Sequence, residues 1–290
     1  MISFELERPT SLEEAVGILN RLGRKALPKA GGTDLVINMK KRLVKPEVVV
    51  DLNLIPELSK ISFDESSGLS IGATATCTDV LKYEKIKQHF PALYDSCLSH
   101  SDWHIRNRAT VVGNVCSAVP SGDALPALYC YEAKVRITGQ NGEREIPIST
   151  FIRGPRKTDL KLGEMVTDIF VPRPKGKSSG CYLKHGRRNA IDLAQVGVCC
   201  TIVEDSGNLE YRLGYGAVAP TPVRAFEVEE VINGCREPDE LLIKKAVSLV
   251  KKAVKPITDV RAGSEYRLEM AAELTKRAIK ICLERFREEG

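Results

Sequence analysis

The segment Pro28-Lys29-Ala30-Gly31-Gly32-Thr33-Asp34-Leu35 decides how the N-terminal part of this chain is read. A short extended stretch, Arg24 to Ala30, runs into paired glycines, and a helical pattern resumes from Leu35 to Met39. A strand, a glycine turn and a helix start in that order leave free backbone N–H groups where an anion can sit. Glycines let a backbone approach a phosphate closely, and Thr33 adds a hydroxyl donor. The same spacing also describes a tight Gly-Gly turn in which Thr33 or Asp34 merely caps the helix. Neither G-x-G-x-x-G nor G-x-x-x-x-G-K-[ST] is present, so a Rossmann or P-loop site has no support.

Working outward from the loop, Ser3 to Leu6 reads as a short strand. A helix follows, with Ser11 three residues before Glu14 in capping-box spacing and Leu12, Ala15, Val16, Leu19 and Leu22 along one face. Downstream, Pro46 interrupts, and Val48 to Leu52 is an apolar run of buried-strand type. This βαβαβ-like alternation predicts a small α/β unit ending near residue 55. The next region alternates at Leu69-Ser70-Ile71-Gly72, then predicts a helix from Thr78 to Gln88 with candidate caps in Thr76 to Asp79. A helical stretch from Pro91 to Ser101 leads to a second glycine loop, Thr110-Val111-Val112-Gly113-Asn114. Ser117, Ser121 and Asp123 follow it closely, with the apolar segment Ala124 to Tyr131 behind. Taken alone, this second loop reads as an ordinary connection.

Ala133 to Ile137 alternates as a half-exposed strand, Asn141-Gly142 marks a turn, and Met165 to Val171 is a further strand. Pro172 to Gly180, rich in Pro, Gly, Ser and charge, is the expected linker. Beyond it, strands are expected at Cys181–His185, Val196–Val203 and Leu209–Ala217, then amphipathic helices at Leu241–Val254 and Ser264–Phe286. That order implies a C-terminal α+β unit, and three units in all: 1–55, 56–175 and 176–290.

Composition narrows the function classes. The 43 Lys and Arg against 38 Asp and Glu give +5, spread along the chain, whereas a nucleic-acid binder concentrates basic residues on one face. The cluster Lys40-Lys41-Arg42 could help attract an anionic ligand. No apolar run approaches the roughly 20 residues that cross a membrane, and the N-terminus lacks a signal-peptide pattern. Nine cysteines without C-x-x-C argue for free thiols in a reducing cytoplasm, and against a metal or iron–sulfur site on this chain.

Both loops then become specific in their flanks. Pro28 to Leu35, continuing to Met39-Lys40, resembles the first FAD-pyrophosphate loop of one group of flavoproteins. These are the medium, FAD-binding subunits of the xanthine dehydrogenase and carbon monoxide dehydrogenase family of molybdenum hydroxylases. Ile105 to Cys116 resembles that family's second loop and continues into Ser117 to Asp123 and Pro126-Ala127-Leu128. Lys184 to Asp192, Gly216 to Arg224, Thr258 to Arg261 and Glu265-Tyr266-Arg267 resemble the C-terminal domain of the same subunits. One departure is Val112, where the family usually has a glycine; valine does not adopt a positive φ easily.

The resemblance implies an α+β chain of vanillyl-alcohol-oxidase (PCMH) type. Two α/β subdomains would clasp FAD, and a C-terminal α+β domain with a small antiparallel sheet and helices would follow. It implies that Ala30, Gly31, Gly32, Thr33, Asp34 and Leu35 bind the pyrophosphate through main-chain amides. Thr110, Gly113, Asn114, Ser117 and Asp123 would hold the remaining diphosphate, ribityl and ribose groups. Val166 would pack near the isoalloxazine, and Lys184 would approach its N1/O2 edge. There a fixed cation would stabilise the negative charge that reduction adds. His100 aligns near where some relatives place an aromatic beside the flavin, and Asp192 is expected to pair with a nearby arginine.

The resemblance also implies partners: a large subunit with a molybdenum–pterin centre, a small subunit with two [2Fe–2S] clusters, and an acceptor such as NAD, in a heterohexamer. The short run from Asp123 to Ala133 leaves no room for the cysteine-bearing insertion of the aromatic-CoA reductase branch. Two other readings stay open at this level. One is a self-sufficient flavin-dependent oxidoreductase of the same fold, and the other is a non-catalytic scaffold subunit.

Overall fold

The computed structural model describes residues 3–288. The N-terminal unit is a three-stranded parallel sheet of Glu5–Glu7, Ala26–Lys29 and Val48–Asp51. Val48–Asp51 lies in the middle, flanked on both sides, so its three valines are all buried and the apolar run is explained. The helix Leu12–Leu22 crosses between strands and buries Ala15, Val16, Ile18 and Leu19. Ser11 caps it by accepting the Glu14 N–H at 3.2 Å. The Glu14 carboxylate reaches past the cap to the Thr10 N–H at 2.8 Å, one residue beyond the expected capping box. The expected strand from Arg24 is shorter, because Gly23–Lys25 forms a helical turn before Ala26. Its partner ends at Asp51, with Leu52 starting another such turn.

A five-stranded antiparallel sheet follows, in the order Ile61–Asp64, Gly68–Gly72, Met165–Pro172, Lys134–Gly139 and Gly142–Pro147. Its apolar face carries Leu69, Ile71, Val135 and Ile169 into a core shared with the short helices of this region and with the helix Leu12–Leu22. The helix expected from Thr78 to Gln88 breaks into Cys77–Lys82 and Glu84–His89, with Tyr83 extended between them. Val80 and Ile86 are both fully buried. On one continuous helix they would point about 120° apart, so a change of direction is needed to aim both inward. Thr76 and Asp79 realise a complete capping box. The sheet's outer face bounds an open cleft of about 620 Å³. The charged side chains lining it include Arg136, Glu145, Asp168 and Arg144, all engaged in ion pairs.

The C-terminal part is an antiparallel sheet of Ser178–His185, Val196–Asp205, Asn208–Gly216 and Val223–Arg224. The expected linker shrinks to 173–177, because Pro172 still pairs with Gly68 and Ser178 already pairs with Val203. The helix expected over Leu241–Val254 breaks at Leu249 into Glu240–Ser248 and Val250–Ala253. The last helix runs from Ser264 to Glu288. Strand alternation places the two faces of this sheet in different cores. Tyr182 and Cys199 join the core of the preceding region, whereas Cys181, Val198 and Cys200 join the core under the last helix. The C-terminal sheet is therefore sandwiched between the helices of the preceding region and its own. No helix among the described residues is long and apolar enough to cross a membrane.

Candidate functional site

The first glycine loop is clasped rather than free. Lys29 and Asp51, on neighbouring strands, form an ion pair of 3.0 Å at its base, and the Asn53 amide donates to the Ala30 carbonyl at 3.0 Å. Burial works against the Asp51 charge, but hydrogen bonds from Asn53 and Lys29 outweigh it and hold the carboxyl below its ordinary range. Gly31 is pressed onto the second loop, where a Cβ would run into the carbonyl oxygen of Arg108. Gly32 has φ +78°, which L side chains rarely adopt. Among the described residues, no acceptor meets the N–H groups of Gly31, Gly32, Thr33, Asp34 or Leu35. Five adjacent amide donors therefore remain for an anion.

The turn-and-cap alternative fails at Asp34. Its side chain makes no capping bond to the helix Leu35–Lys40. Instead its carboxylate accepts from the Ser117 hydroxyl at 2.6 Å, joining the two loops across 83 positions of sequence.

The second loop opens the helix Val111–Ser117, with Thr110 as cap, its hydroxyl accepting the Gly113 N–H at 2.8 Å. Thr110 is buried, and beyond the lone pair used in this cap its hydroxyl keeps an O–H to donate and a second lone pair. Val112, where the family usually has a glycine, lies within the helix, only 3% exposed, and its φ is not positive. The Asn114 amide oxygen accepts the Ala124 N–H at 3.2 Å and so anchors the segment that carries Asp123.

Asp123 is the hub of a buried polar cluster. It is 5% exposed. One carboxylate oxygen takes Lys184 Nζ at 2.9 Å and His100 Nδ1 at 3.1 Å, and the other accepts from the Tyr182 hydroxyl at 3.0 Å. Lys184 Nζ also donates to the Ser99 carbonyl at 3.2 Å. Arg106 fixes the turn beneath by donating to the carbonyls of Leu98 and His100. A lysine and a carboxylate this buried need each other, since either alone would carry an uncompensated charge.

The structure thus brings together most of the expected residues. Ala30 to Leu35, Gly113 and Ser117 form one clasp, and Asn114, Asp123, Lys184 and His100 form the cluster beside it. Val166 is buried in the central strand of the five-stranded sheet, opposite Ile137. Asp192 departs from expectation: its carboxylate accepts backbone N–H groups of Arg187, Arg188 and Leu193 at 2.7, 3.2 and 3.0 Å, not an arginine side chain. Burial opposes its charge, but these bonds prevail and hold the carboxyl below its ordinary range, so Asp192 staples its own loop. Tyr182 and Asn53 were not legible from motifs, and Arg106 lies in the second-loop motif without a role that the motif assigns. Tyr182 could have been found from strand period alone, lying two residues before Lys184 on the same face.

These features fit FAD. The diphosphate is an anion that suits the row of free amides, and the crowded Gly31 and Gly32 positions leave the loop without side chains that would cover them.

Comparison with known proteins agrees. Residues 2–174 match the family described as the FAD binding domain in molybdopterin dehydrogenase, and residues 181–281 match the CO dehydrogenase flavoprotein C-terminal domain. The putative xanthine dehydrogenase FAD-binding subunit of Escherichia coli is 32% identical over 94% of this chain and 93% of its own length. The carbon monoxide dehydrogenase medium chain of Afipia carboxidovorans is 31% identical, covering 96% of each chain. A chain of the crystal structure of carbon monoxide dehydrogenase from Hydrogenophaga pseudoflava superposes with a TM-score of 0.92 at 30% identity, covering 98% of this chain and 99% of that one.

Proposed function

This chain belongs to the FAD-binding medium subunits of the molybdenum hydroxylase family, and from that premise we propose that it is the electron-relay subunit of such a complex. When bound, FAD supplies the exchange between single electrons and electron pairs that couples [2Fe–2S] clusters on a small partner chain to an acceptor such as NAD. A large partner chain would hold the molybdenum–pterin centre and choose the substrate. A cytoplasmic heterohexamer is the corresponding assembly.

On this reading, the amides of Gly31 to Leu35 bind the diphosphate, and Thr110, Gly113, Asn114 and Ser117 support the adjoining groups. Asp123 holds Lys184 in place, and the lysine stabilises negative charge at the flavin N1/O2 edge. Val166 contributes apolar wall. Of the three units, 1–55 and 56–175 supply the two loops of the clasp and 176–290 supplies the lysine strand. The observation that carries the reading is the contact between the two loops, which places free amides and the Ser117–Asp34 bond in one clasp. The test is reconstitution of the purified full-length chain with FAD. A stoichiometric yellow complex is expected, and a chain that takes up no flavin would remove the proposal.

A further inference from the structure

We propose that His100 is the proton acceptor that accompanies two-electron reduction of a flavin held at this site, with Asp123 fixing its tautomer. The inference rests on the FAD reading given above.

A carboxylate can only accept, so the 3.1 Å contact with Asp123 requires the proton on His100 Nδ1. That leaves Nε2 as the titrating atom. Nε2 has no hydrogen-bond partner among the described residues, and the side chain keeps 20% of its surface open. It is therefore the one nitrogen of the cluster able to gain a proton without breaking a bond.

The charges facing His100 decide when this happens. Lys184 and Asp123 form a pair of opposite sign, so the imidazole sets the net charge of the cluster. Cys77 approaches from the helix Cys77–Lys82, Tyr182 presents a hydroxyl to Asp123, and the Arg106 guanidinium lies on the His100 carbonyl. Burial pushes His100 down, but its bond to Asp123, with the charges of Cys77 and Asp123, outweighs burial and Lys184 and leaves it above the ordinary histidine value. New negative charge beside Lys184 would offset the lysine's opposition and favour the imidazolium further.

Two electrons arrive from the reduced iron–sulfur clusters of the partner chain, one solvent proton is taken by the flavin ring and a second by His100 Nε2. The charge of the site is then unchanged.

The test is a redox titration of the FAD-reconstituted full chain with dithionite and mediator dyes, at a series of pH values above the raised folded pKa of His100, where neutral imidazole prevails. Each proton taken up per electron pair contributes about 30 mV per pH unit. Wild type is expected to show about 60 mV per pH unit and His100→Gln about 30; equal slopes would overturn the proposal. If His100→Gln does not hold FAD, the His100 C2–H resonance of wild type is titrated in oxidised and reduced protein. It would be assigned by elimination against variants of the other three histidines. Its pKa should rise on reduction, and an unchanged value would equally overturn the inference. Failure of the wild-type chain to bind FAD is a separate result and strikes the parent reading instead.

Discussion

The first glycine loop offers backbone amides set by a turn of a few residues, whereas the Asp123 cluster offers side chains gathered from three separate segments. The loop's donors owe little to side-chain identity beyond the two glycines that let the chain pass. The cluster depends on identity at every member, since Asp123 accepts from Lys184, His100 and Tyr182 together. An anion-binding half built from main chain is cheap to specify locally. A charge-balanced half built from side chains has to wait for the whole fold.

The largest effect that should separate the halves comes from Asp123→Ala. Removing one partner of a buried pair should cost about 3–5 kcal/mol of stability, read by urea unfolding, because Lys184 keeps its charge without compensation. The same variant should abolish a pH signature. His100 sits above its ordinary value when folded, so its contribution is full below the unfolded pKa near 6.5 and is lost as pH rises through the folded value. A loss of stability on acidification in that window, instead, would contradict the Asp123–His100 bond.

Next in size, Gly31→Val should drive the first loop off the Arg108 carbonyl and weaken FAD binding by about 100-fold or more, roughly 2.7 kcal/mol. Binding measured by flavin fluorescence, with a circular dichroism check of fold, decides it; wild-type affinity would show that the loops need not touch. Ser117→Ala removes only the 2.6 Å bond to Asp34 and should cost about 1–2 kcal/mol, mostly in FAD affinity. An equal loss of stability in the flavin-free chain would mean that the bond holds the fold, not the ligand. Smallest, Gly17→Ala sits in the exposed middle of the helix Leu12–Leu22 with open space around a new Cβ. It should stabilise by about 0.5–1 kcal/mol and leave flavin binding untouched, which marks how differently this glycine and Gly31 are used.

The same division explains what the sequence disclosed. The parallel N-terminal unit was readable because Val48 to Val50 and the Ser11 cap are local signals. The flavin-family resemblance located both loops, and the structure adds that they touch. The break at Tyr83 was not readable, since tertiary burial of Val80 and Ile86 overrides a continuous helical pattern, and the helical pattern likewise ran on through Leu249. The linker was overestimated at both ends, because polar composition does not prevent Pro172 and Ser178 from pairing with neighbouring strands. Tyr182 escaped because its role is fixed by a carboxylate 59 positions away.

The seating of Gly31 against Arg108 also sets an order of events on the ribosome. The first 55 residues can form their sheet as they emerge, yet the amide row has nothing to lean on until the segment around Arg108 has been synthesised and folded. The lysine strand comes later still. A nascent chain halted before that strand would present a half-built cradle in which Asp123 has His100 but neither Tyr182 nor Lys184, so cofactor capture becomes a late checkpoint that truncated products fail.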